Sequence, residues 1–171
     1  MSSCIFKLLT ASSCKKSKKM IVDSFSYHPD RGDKEKAILL QTLCDASLEN
    51  TRVTKITDSS KKIKGTLGLV ALSVGKLELN DKSLPAVIID YLFVDNKHRN
   101  EVYEHIGEKV STLLLYYAIQ TAQEISQLAG ARYLILRPDG GKEHKSLVAF
   151  YESMNFRYMT DKHEWMYLKL N

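Results

Sequence analysis

The sequence lacks the features by which membrane, secreted and repeat proteins are recognised. It has only three cysteines, Cys4, Cys14 and Cys44, whose spacing matches no metal-binding pattern and whose odd number excludes complete pairing into disulfides. No apolar run approaches the roughly 20 residues that cross a bilayer, and the apolar stretch before Ala11–Cys14 is too short for a secretory signal. No internal repeat, linker or low-complexity tract is present. We therefore expect reduced thiols, no membrane partner and a cytoplasmic location.

The composition that is present suits one globular domain. The chain has 171 residues, 44% of them hydrophobic, which is enough for a sizeable core in a single domain that spans residues 1–171. Its net charge of +5 favours anionic partners, such as a phosphorylated cofactor or a nucleic acid. The same charge is also compatible with an ordinary basic protein, so charge alone selects no function.

One stretch of the sequence predicts a strand, a turn and a helix in direct succession. Val87–Val94 is almost wholly apolar and rich in β-branched residues, which predicts a strand covered on both faces. The polar run Asp95–Asn100 ends this strand. Apolar residues then recur at helical spacing up to about Ala129, with Gly130 ending the helix: Val102, Ile106, Val110, Leu113, Leu114, Tyr117 and Ala118. Because free N–H groups at a helix N-terminus attract anions, this arrangement predicts a phosphate site.

The rest of the chain predicts a mixed sheet with helices on both faces, because it contains both hairpins and a strand–helix–strand crossover. With a loop at Asn80–Ser83, further strands are expected at Cys4–Leu9, Arg52–Thr57, Gly65–Gly75, Ala131–Arg137, Phe156–Met159 and Glu164–Leu170. A helix from Asp33, as N-cap, to Glu49 would bury Ala37, Leu40, Leu43, Cys44 and Leu48. A short helix follows the Ala131 strand, and Asn155 ends it in a left-handed conformation. The Cys14–Lys19 run predicts a basic loop, either a solvated turn or a phosphate-contacting patch.

This order of elements, together with two segments, resembles the GNAT superfamily of acyl-CoA-dependent N-acetyltransferases. The first segment is Asp90–Asp95, which is followed by Arg99 and the long helix. The second is Phe150–Phe156, which is similar to the family's Phe-Tyr-Glu-x-x-Gly-Phe ending, with Asn155 in place of the glycine. The resemblance implies a GNAT-like acyl-CoA N-acyltransferase fold of the α/β class, a single domain whose central mixed sheet (α+β) is flanked by helices. It also implies acetyl-CoA as co-substrate and no metal.

The resemblance assigns phosphate-binding residues in the loop before the long helix. Counted from Arg99, Val102 and Glu104 occupy the positions where the family's pyrophosphate loop has glycine or alanine. Either the loop is several residues longer and Gly107 opens the helix, or an altered loop holds phosphate poorly. The longer loop implies that Arg99, Gly107 and Lys109 bind the cofactor.

By the same resemblance, the pantetheine arm of the cofactor enters between the Val87–Val94 strand and its parallel neighbour. Backbone groups of Leu92 and Val94 would pair with the arm. A backbone N–H near Phe93 would stabilise the oxyanion that forms when an amine attacks the thioester. His144 occupies a position where many family members carry a cofactor-side asparagine, although a surface-loop position is the alternative description of this residue.

Two residues are candidates for proton transfer. The leaving thiolate needs a proton, and Tyr151 matches the family's usual acid, with packing as a core aromatic as its alternative role. The attacking amine must be neutral, so a base or a water chain must take its proton. Asp90, a carboxylate in an otherwise apolar strand, is the candidate base, with a structural ion pair or the end of the buried part as alternatives.

Three functions agree with these residues. The first is an N-acetyltransferase that moves an acetyl group from acetyl-CoA to a primary amine by direct attack. The second is a toxin-type acetyltransferase that acts on aminoacyl-tRNA, whose phosphates would meet Lys15, Lys16, Lys18, Lys19, Lys61, Lys62 and Lys64. The third is a non-catalytic GNAT-like binding or sensor module. The expected partners are an amine of unknown size, tRNA or another anionic molecule, and a second copy of the chain in a homodimer.

Overall fold

The computed structural model describes residues 3–139, 144–159 and 164–171. Seven strands and four helices lie in these ranges: β1 (Cys4–Leu8), α1 (Ala11–Asp23), α2 (Gly32–Ser47), β2 (Arg52–Asp58), β3 (Thr66–Leu79), β4 (Lys82–Val94), α3 (Val110–Ala129), β5 (Tyr133–Leu136), α4 (Lys145–Ser153), β6 (Arg157–Tyr158) and β7 (Met166–Lys169). A short 3₁₀ turn, Asn96–His98, follows β4. Of the helices in these ranges, none has the length and hydropathy that crossing a membrane requires.

The strands form one mixed sheet, as the sequence predicts. Their order is β1-β2-β3-β4-β5-β7-β6. β2 pairs antiparallel with β1 and β3, and β7 pairs antiparallel with β5 and β6. β4 and β5 are parallel, with Ala86–Ile89 opposite Tyr133–Leu136. Parallel neighbours need a crossover connection, which α3 provides. The predicted α/β class with a mixed sheet is therefore confirmed.

Contacts between residues divide the chain into two compact units. Unit 1 consists of Met1–Leu72 and Tyr91–Tyr117, and unit 2 consists of Ser73–Asp90 and Ala118–Asn171. In unit 1, buried side chains of both first helices form a cluster with strand residues, among them Cys14, Val22, Phe25, Leu39, Leu43, Ala46, Val53, Leu69, Ala71 and Phe93. The cluster of unit 2 contains Leu77, Ala86, Ile135 and Met159, with Trp165 and Tyr167 packed against it. A single domain over residues 1–171 stays a prediction.

The first helix corrects the prediction of a basic loop at Cys14–Lys19. These residues lie inside α1, whose N-cap Thr10 accepts a hydrogen bond from the Ser13 N–H at 3.1 Å. Cys14 is fully buried, and Val22 also lies in the core of unit 1. A helix therefore forms because a side-chain cap begins it and because a narrow apolar face packs, while most of its lysines remain exposed.

The second helix buries a different face from the one that the sequence predicts. α2 begins at Gly32, and its N-cap residue makes no side-chain capping bond, so the prediction of Asp33 as N-cap is wrong. Leu40 and Leu48, which the spacing places in the core, are 41% and 70% exposed. The buried residues are Glu35, Leu39, Thr42, Leu43 and Ala46. Leu43 is buried as predicted. The rest of the buried face includes a carboxylate and a hydroxyl, so the spacing of apolar residues alone does not predict which side of the helix is buried.

β4 begins earlier than predicted and meets β3 at a tight turn. β3 runs to Leu79 and β4 begins at Lys82, so the predicted Asn80–Ser83 loop is reduced to Asn80 and Asp81. These two residues have φ values of 48° and 61°. A two-residue hairpin turn of type I′, whose twist matches that of the strands, requires a positive φ at both central residues. Asparagine and aspartate adopt positive φ more readily than other side chains.

A glycine in β3 permits close contact with the end of β4. A Cβ atom on Gly68 would lie 2.4 Å from the carbonyl oxygen of Phe93 and 3.2 Å from the Cα of Val94. The first distance is too short for any side chain. The absence of a Cβ therefore allows the two strands to approach one another at this position.

Two predicted helix ends are confirmed. Gly130 follows α3 with φ 68°, and Asn155 follows α4 with φ 69°. The N–H of Gly130 donates to the carbonyl of Ser126 at 2.9 Å, and that of Asn155 donates to Glu152 at 3.0 Å. Each left-handed residue thus satisfies a carbonyl of the last helical turn.

Thr10→Ala should lower the free energy of unfolding by about 1 kcal/mol, because the N–H of Ser13 in the first turn of α1 loses the hydroxyl that accepts its hydrogen bond. Urea unfolding followed by circular dichroism measures the change. Ser12→Ala, at an exposed position of the same helix, is the control and should have little effect. Equal stability of the two variants would show that the Thr10 cap does not stabilise α1.

Candidate functional site

The loop after β4 begins at a buried aspartate in unit 1. Asp95 is 2% exposed, and its carboxylate accepts the N–H of Lys97 at 3.0 Å, which caps the 3₁₀ turn. Its own N–H donates to the carbonyl of Leu67 at 2.9 Å. The first polar residue after the predicted strand thus fixes the start of the loop through both its side chain and its backbone.

The residues predicted to bind the pantetheine arm differ in what they expose. The side chain of Phe93 is 2% exposed, and its ring lies 5.0 Å from that of Phe25, so this residue offers only its backbone to a ligand. Leu92 is half-buried. The carbonyl of Val94 already accepts a hydrogen bond from Nε of Arg99 at 2.9 Å. Cofactor binding by Leu92, Phe93 and Val94 stays a prediction.

Arg99 is held by protein groups on several sides. One terminal nitrogen donates to Oε1 of Glu35 at 2.8 Å, while Nε donates to the carbonyl of Val94. The guanidinium carbon also lies 5.4 Å from the centroid of the Phe93 ring. Arg99 therefore joins the loop after β4 to α2, a role that sequence reasoning missed, and its role as a phosphate ligand stays a prediction.

Glu35 is the buried partner of this arginine. Its second oxygen accepts the N–H of His28 at 3.0 Å. Burial raises the pKa of the Glu35 carboxyl, but the hydrogen bonds from Arg99 and His28 outweigh burial and leave the pKa below its usual value. The ionised carboxylate therefore connects the segment before α2 with the loop after β4.

The loop between β4 and α3 is longer than the sequence predicts. α3 begins at Val110, so the prediction of a helix that already includes Val102 and Ile106 is wrong. Gly107 has φ 81°, and its N–H donates to the carbonyl of Tyr103 at 2.8 Å. The loop is thus several residues longer, as the first of the two alternatives requires, and Gly107 lies three positions before the helix. Phosphate binding by this loop stays a prediction.

Two histidines that sequence reasoning missed fix this loop. His98 is buried, and its Nδ1 lies 2.6 Å from the hydroxyl of Tyr103. Burial lowers the pKa of the His98 imidazole. His105 contacts Asp58, with 2.9 Å between Nε2 and Oδ2. Because Asp58 precedes His105 by 47 residues, no local pattern indicates this contact.

The start of α3 has the properties of an anion site. Gly107, Glu108 and Lys109 are exposed, and the first turn of the helix has no acidic residue. The first N–H groups of a helix lack partners within the helix, and its dipole favours negative charge there. Lys109 adds a positive charge, which the neighbouring Glu108 opposes. Phosphate binding at this position stays a prediction.

Tyr151 lies in unit 2, in the last turn of α4. It is 6% exposed, and its ring contacts those of Phe150 and Phe156, with centroids 5.3 and 5.8 Å away. Burial, and to a lesser degree the charge of Asp139, raise the pKa of the phenol far above its usual value. Tyr151 is therefore both a core aromatic and a hydroxyl that keeps its proton at neutral pH.

His144 immediately precedes α4. Its Nδ1 donates to the carbonyl of Asp139 at 3.2 Å, which leaves Nε2 as an acceptor. The Gly140–Gly141 turn, which the sequence places between these two residues, lies outside the described residues. Neither His144 nor any other described residue belongs to a group of three or more His, Cys, Asp or Glu that could hold a metal ion. The cofactor-binding role of His144 stays a prediction.

Asp90 is exposed, although the strand around it is otherwise apolar. Its Oδ1 accepts a hydrogen bond from the hydroxyl of Ser73 at 2.9 Å. A solvated carboxylate has no desolvation penalty, so its presence in β4 requires no special explanation. The role of Asp90 as a base stays a prediction.

We expect the Glu35–Arg99 pair to make stability depend on pH. The pKa of Glu35 is lower in the folded than in the unfolded chain, so the pair stabilises the fold fully above the ordinary glutamate value of 4.5, and this stability is lost as the pH falls below it. Glu35→Gln should lower the free energy of unfolding at neutral pH by about 1–3 kcal/mol. It should also reduce the loss of stability on acidification, which urea unfolding at neutral pH and at about pH 3 measures.

Glu49→Gln provides the matched control for this variant. Glu49 lies in an exposed ion pair with Arg52 at 3.4 Å, which contributes little to stability. If Glu35→Gln had the same pH dependence as the wild type and as Glu49→Gln, the Glu35–Arg99 pair would not account for the acid sensitivity.

Comparison with known proteins gives likeness of structure without likeness of sequence. No family model and no curated protein matches the chain. AtaT complexed with acetyl-methionyl-tRNAfMet superimposes with a TM-score of 0.72 and 13% identity, over 97% of this chain and 94% of that one. A tyrosine-to-phenylalanine variant of KacT superimposes with a TM-score of 0.71 and 12% identity, over 98% of this chain and 95% of that one. A third structure is a tyrosine-to-phenylalanine variant of the AtaT toxin, bound to acetyl-CoA and the C-terminus of the antitoxin AtaR. It superimposes with a TM-score of 0.70 and 13% identity, over 97% of this chain and 92% of that one.

These superpositions extend over nearly the whole of each chain. At such low identity they establish how the chain folds, and a proposal for its activity also needs support from its own residues. The parallel β4–β5 pair, the α3 crossover and the short α4 were all expected from the resemblance described above. The chain therefore has the GNAT-like N-acyltransferase fold.

Proposed function

We propose that the chain is an acetyl-CoA-dependent N-acetyltransferase, which transfers an acetyl group from acetyl-CoA to a primary amine by direct attack. The observation that carries this proposal is the likeness of nearly the whole chain to AtaT, a toxin solved with acetyl-CoA bound. The Phe150–Phe156 segment supports the proposal, because it contains a buried tyrosine that keeps its proton.

Groups of unit 1 supply the binding of acetyl-CoA in this proposal. The first turn of α3, together with Gly107 and Lys109, holds phosphate groups. Backbone groups of Leu92 and Val94 bind the pantetheine arm, and a backbone N–H near Phe93 polarises the thioester carbonyl. The exposed Gly107–Lys109 segment supports the first assignment. Arg99 binds a phosphate in this proposal through the guanidinium N–H groups that Glu35 and the Val94 carbonyl do not occupy.

The reaction forms a C–N bond and breaks the C–S bond of the thioester. The amine loses a proton to water or to a base, and the exposed Asp90 is the candidate base. The leaving thiolate takes a proton, which we assign to the hydroxyl of Tyr151. Burial keeps Tyr151 protonated at neutral pH, so its hydroxyl carries the proton that the thiolate takes, and the resulting tyrosinate is reprotonated from water.

Tyr151→Phe should keep the affinity for acetyl-CoA and lower turnover by about 100-fold. The packing of the ring remains in this variant, but the proton for the leaving thiolate is missing. Calorimetry with acetyl-CoA measures the affinity, and thiol release in a screen of primary amines measures turnover.

Tyr133→Phe is the control for loss of a tyrosine hydroxyl, because Tyr133 is a half-buried residue of β5 to which no chemical role is assigned. Unchanged turnover in Tyr151→Phe would remove Tyr151 from the mechanism. A wild-type protein that neither binds acetyl-CoA nor carries acyl-CoA through purification, as judged by mass spectrometry, would instead favour the non-catalytic module.

Aminoacyl-tRNA is the acceptor that a specific observation favours, and we propose it as the second, finer function. Its α-amino group is a primary amine, and AtaT has been solved with acetyl-methionyl-tRNAfMet. α1 carries three exposed lysines, Lys15, Lys16 and Lys19, whereas Lys18 is half-buried and lies 3.7 Å from the sulfur of Cys44. Exposed lysines on one helix can neutralise neighbouring phosphates of a nucleic acid.

Binding of an aminoacylated tRNA should weaken steeply with salt if the lysines of α1 contact phosphates. Replacing Lys15, Lys16 and Lys19 together by glutamine should weaken binding and reduce the slope of log K against log salt by about 2–3, because each lost contact removes roughly one released counterion. Fluorescence anisotropy over a series of salt concentrations measures this slope.

The matched control replaces three exposed lysines of unit 2, Lys76, Lys82 and Lys169, by glutamine. A third variant replaces three further exposed lysines by glutamine, Lys61, Lys62 and Lys64. If the control triple reduced the slope as much as the α1 triple, the lysines would act through net charge and α1 would not be a tRNA-binding surface.

Two expectations about the surroundings of the chain stay predictions. They are a second copy of the chain in a homodimer and a cytoplasmic location. Neither the structure of one chain nor its likeness to AtaT and KacT tests them.

A further inference from the structure

His105 is held from two sides, in the middle of the loop that leads into α3. Its Nε2 lies 2.9 Å from Oδ2 of Asp58, at the end of β2. Its carbonyl accepts a hydrogen bond from the hydroxyl of Ser3, whose own carbonyl accepts the N–H of Ser59 at 2.7 Å. The side chain and the backbone of one loop residue are therefore both fixed to the start of β1 and the end of β2.

Asp58 is an anchor that other bonds already immobilise. Its side chain has no exposed area, and it accepts the N–H and the hydroxyl of Ser60 at 2.9 and 2.7 Å and the N–H of Ile63 at 2.9 Å. Burial raises the pKa of Asp58, but these bonds and the contact with His105 outweigh burial and hold the pKa far below its usual value. Because an ionised carboxylate only accepts hydrogen bonds, Nε2 of His105 carries the proton in this contact.

The anchored residue directly precedes the part of the loop to which phosphate binding was assigned above. Ile106 and Gly107 both donate their N–H groups to the carbonyl of Tyr103, at 2.9 and 2.8 Å, and the exposed Lys109 leads into α3. Fixing the backbone of a flexible loop residue on binding costs conformational entropy and therefore weakens affinity. A loop that is already ordered before the ligand arrives avoids this loss of affinity.

We propose that Asp58 is a positioning residue, which acts through His105 to hold residues 100–109 in the shape that presents Gly107 and the first turn of α3 to the phosphates of acetyl-CoA. This inference rests on the proposed function. It assigns a cofactor-binding task to a contact between β2 and the long loop, and neither Asp58 nor His105 touches the reacting atoms.

The test compares two substitutions of His105 that differ in one hydrogen bond. His105→Phe keeps a flat ring and removes the donor to Asp58, whereas His105→Gln keeps a side-chain N–H that can reach the carboxylate. His105→Phe should weaken the binding of CoA about tenfold, and His105→Gln should bind nearly as the wild type does. S-Acetylpantetheine, which has no phosphates of the nucleotide, should bind equally to all three proteins. Calorimetry measures each affinity.

Hydrogen exchange reports on the loop without any ligand. Amides of residues 100–109 should exchange faster in His105→Phe than in the wild type, and the rest of unit 1 should be unchanged. Arg52→Gln, which removes the exposed Arg52–Glu49 pair at 3.4 Å, is the control and should alter neither exchange nor affinity. Asp58→Asn would also perturb the hydrogen bonds to Ser60 and Ile63. The comparison of His105→Phe with His105→Gln therefore tests the role of the Asp58–His105 contact.

The outcomes separate this inference from the proposed function. A wild-type protein that binds no CoA overturns both. Normal binding by the wild type, together with unchanged binding by His105→Phe or equal losses for CoA and S-acetylpantetheine, overturns only the role of Asp58 and His105. Weak CoA binding by His105→Gln would also contradict this role, because a side-chain hydrogen bond to Asp58 would then not account for the affinity.

Discussion

The parallel pairing of β4 with β5 is the constraint on which the rest of the structure depends. Two parallel neighbours cannot be joined by a hairpin, so the chain must leave β4 at its carboxyl end, pass through α3 and return. The loop of residues 95–109 and the first turn of α3 follow from this connection. Contacts of His98, Arg99 and His105 then order a loop that would otherwise have many conformations.

Much of the order of strands and helices could be predicted, because the central elements each have one dominant pattern. Val87–Val94 is apolar except for Asp90, and the left-handed residues Gly130 and Asn155 end their helices as expected. The α1 helix could not be predicted in this way. Its few buried residues, such as Cys14, are scattered among serines and lysines, and its beginning depends on a cap from Thr10 that only the structure shows in use.

The candidate site could be predicted where one segment carries its own chemistry and not where distant segments meet. Tyr151 stands in a recognisable segment, but Glu35 and Arg99 are 64 residues apart, so their ion pair leaves no local signal. The exposure of Asp90 could not be predicted for a different reason. Alternate residues of a strand face opposite sides, and Asp90 shares its side with half-buried Ile88 and Leu92, while Ile89 is buried on the other.

The missing Cβ at Gly68 limits how this chain can diverge over evolutionary time. Alanine is the smallest replacement, and it would already bring a carbon to 2.4 Å from the carbonyl oxygen of Phe93. Any mutation at position 68 therefore displaces the end of β4, whatever the chemistry of the new side chain. Glycine at this position is accordingly required by the spacing of two strands, whereas glycine at position 130 is favoured by the left-handed backbone of a helix end.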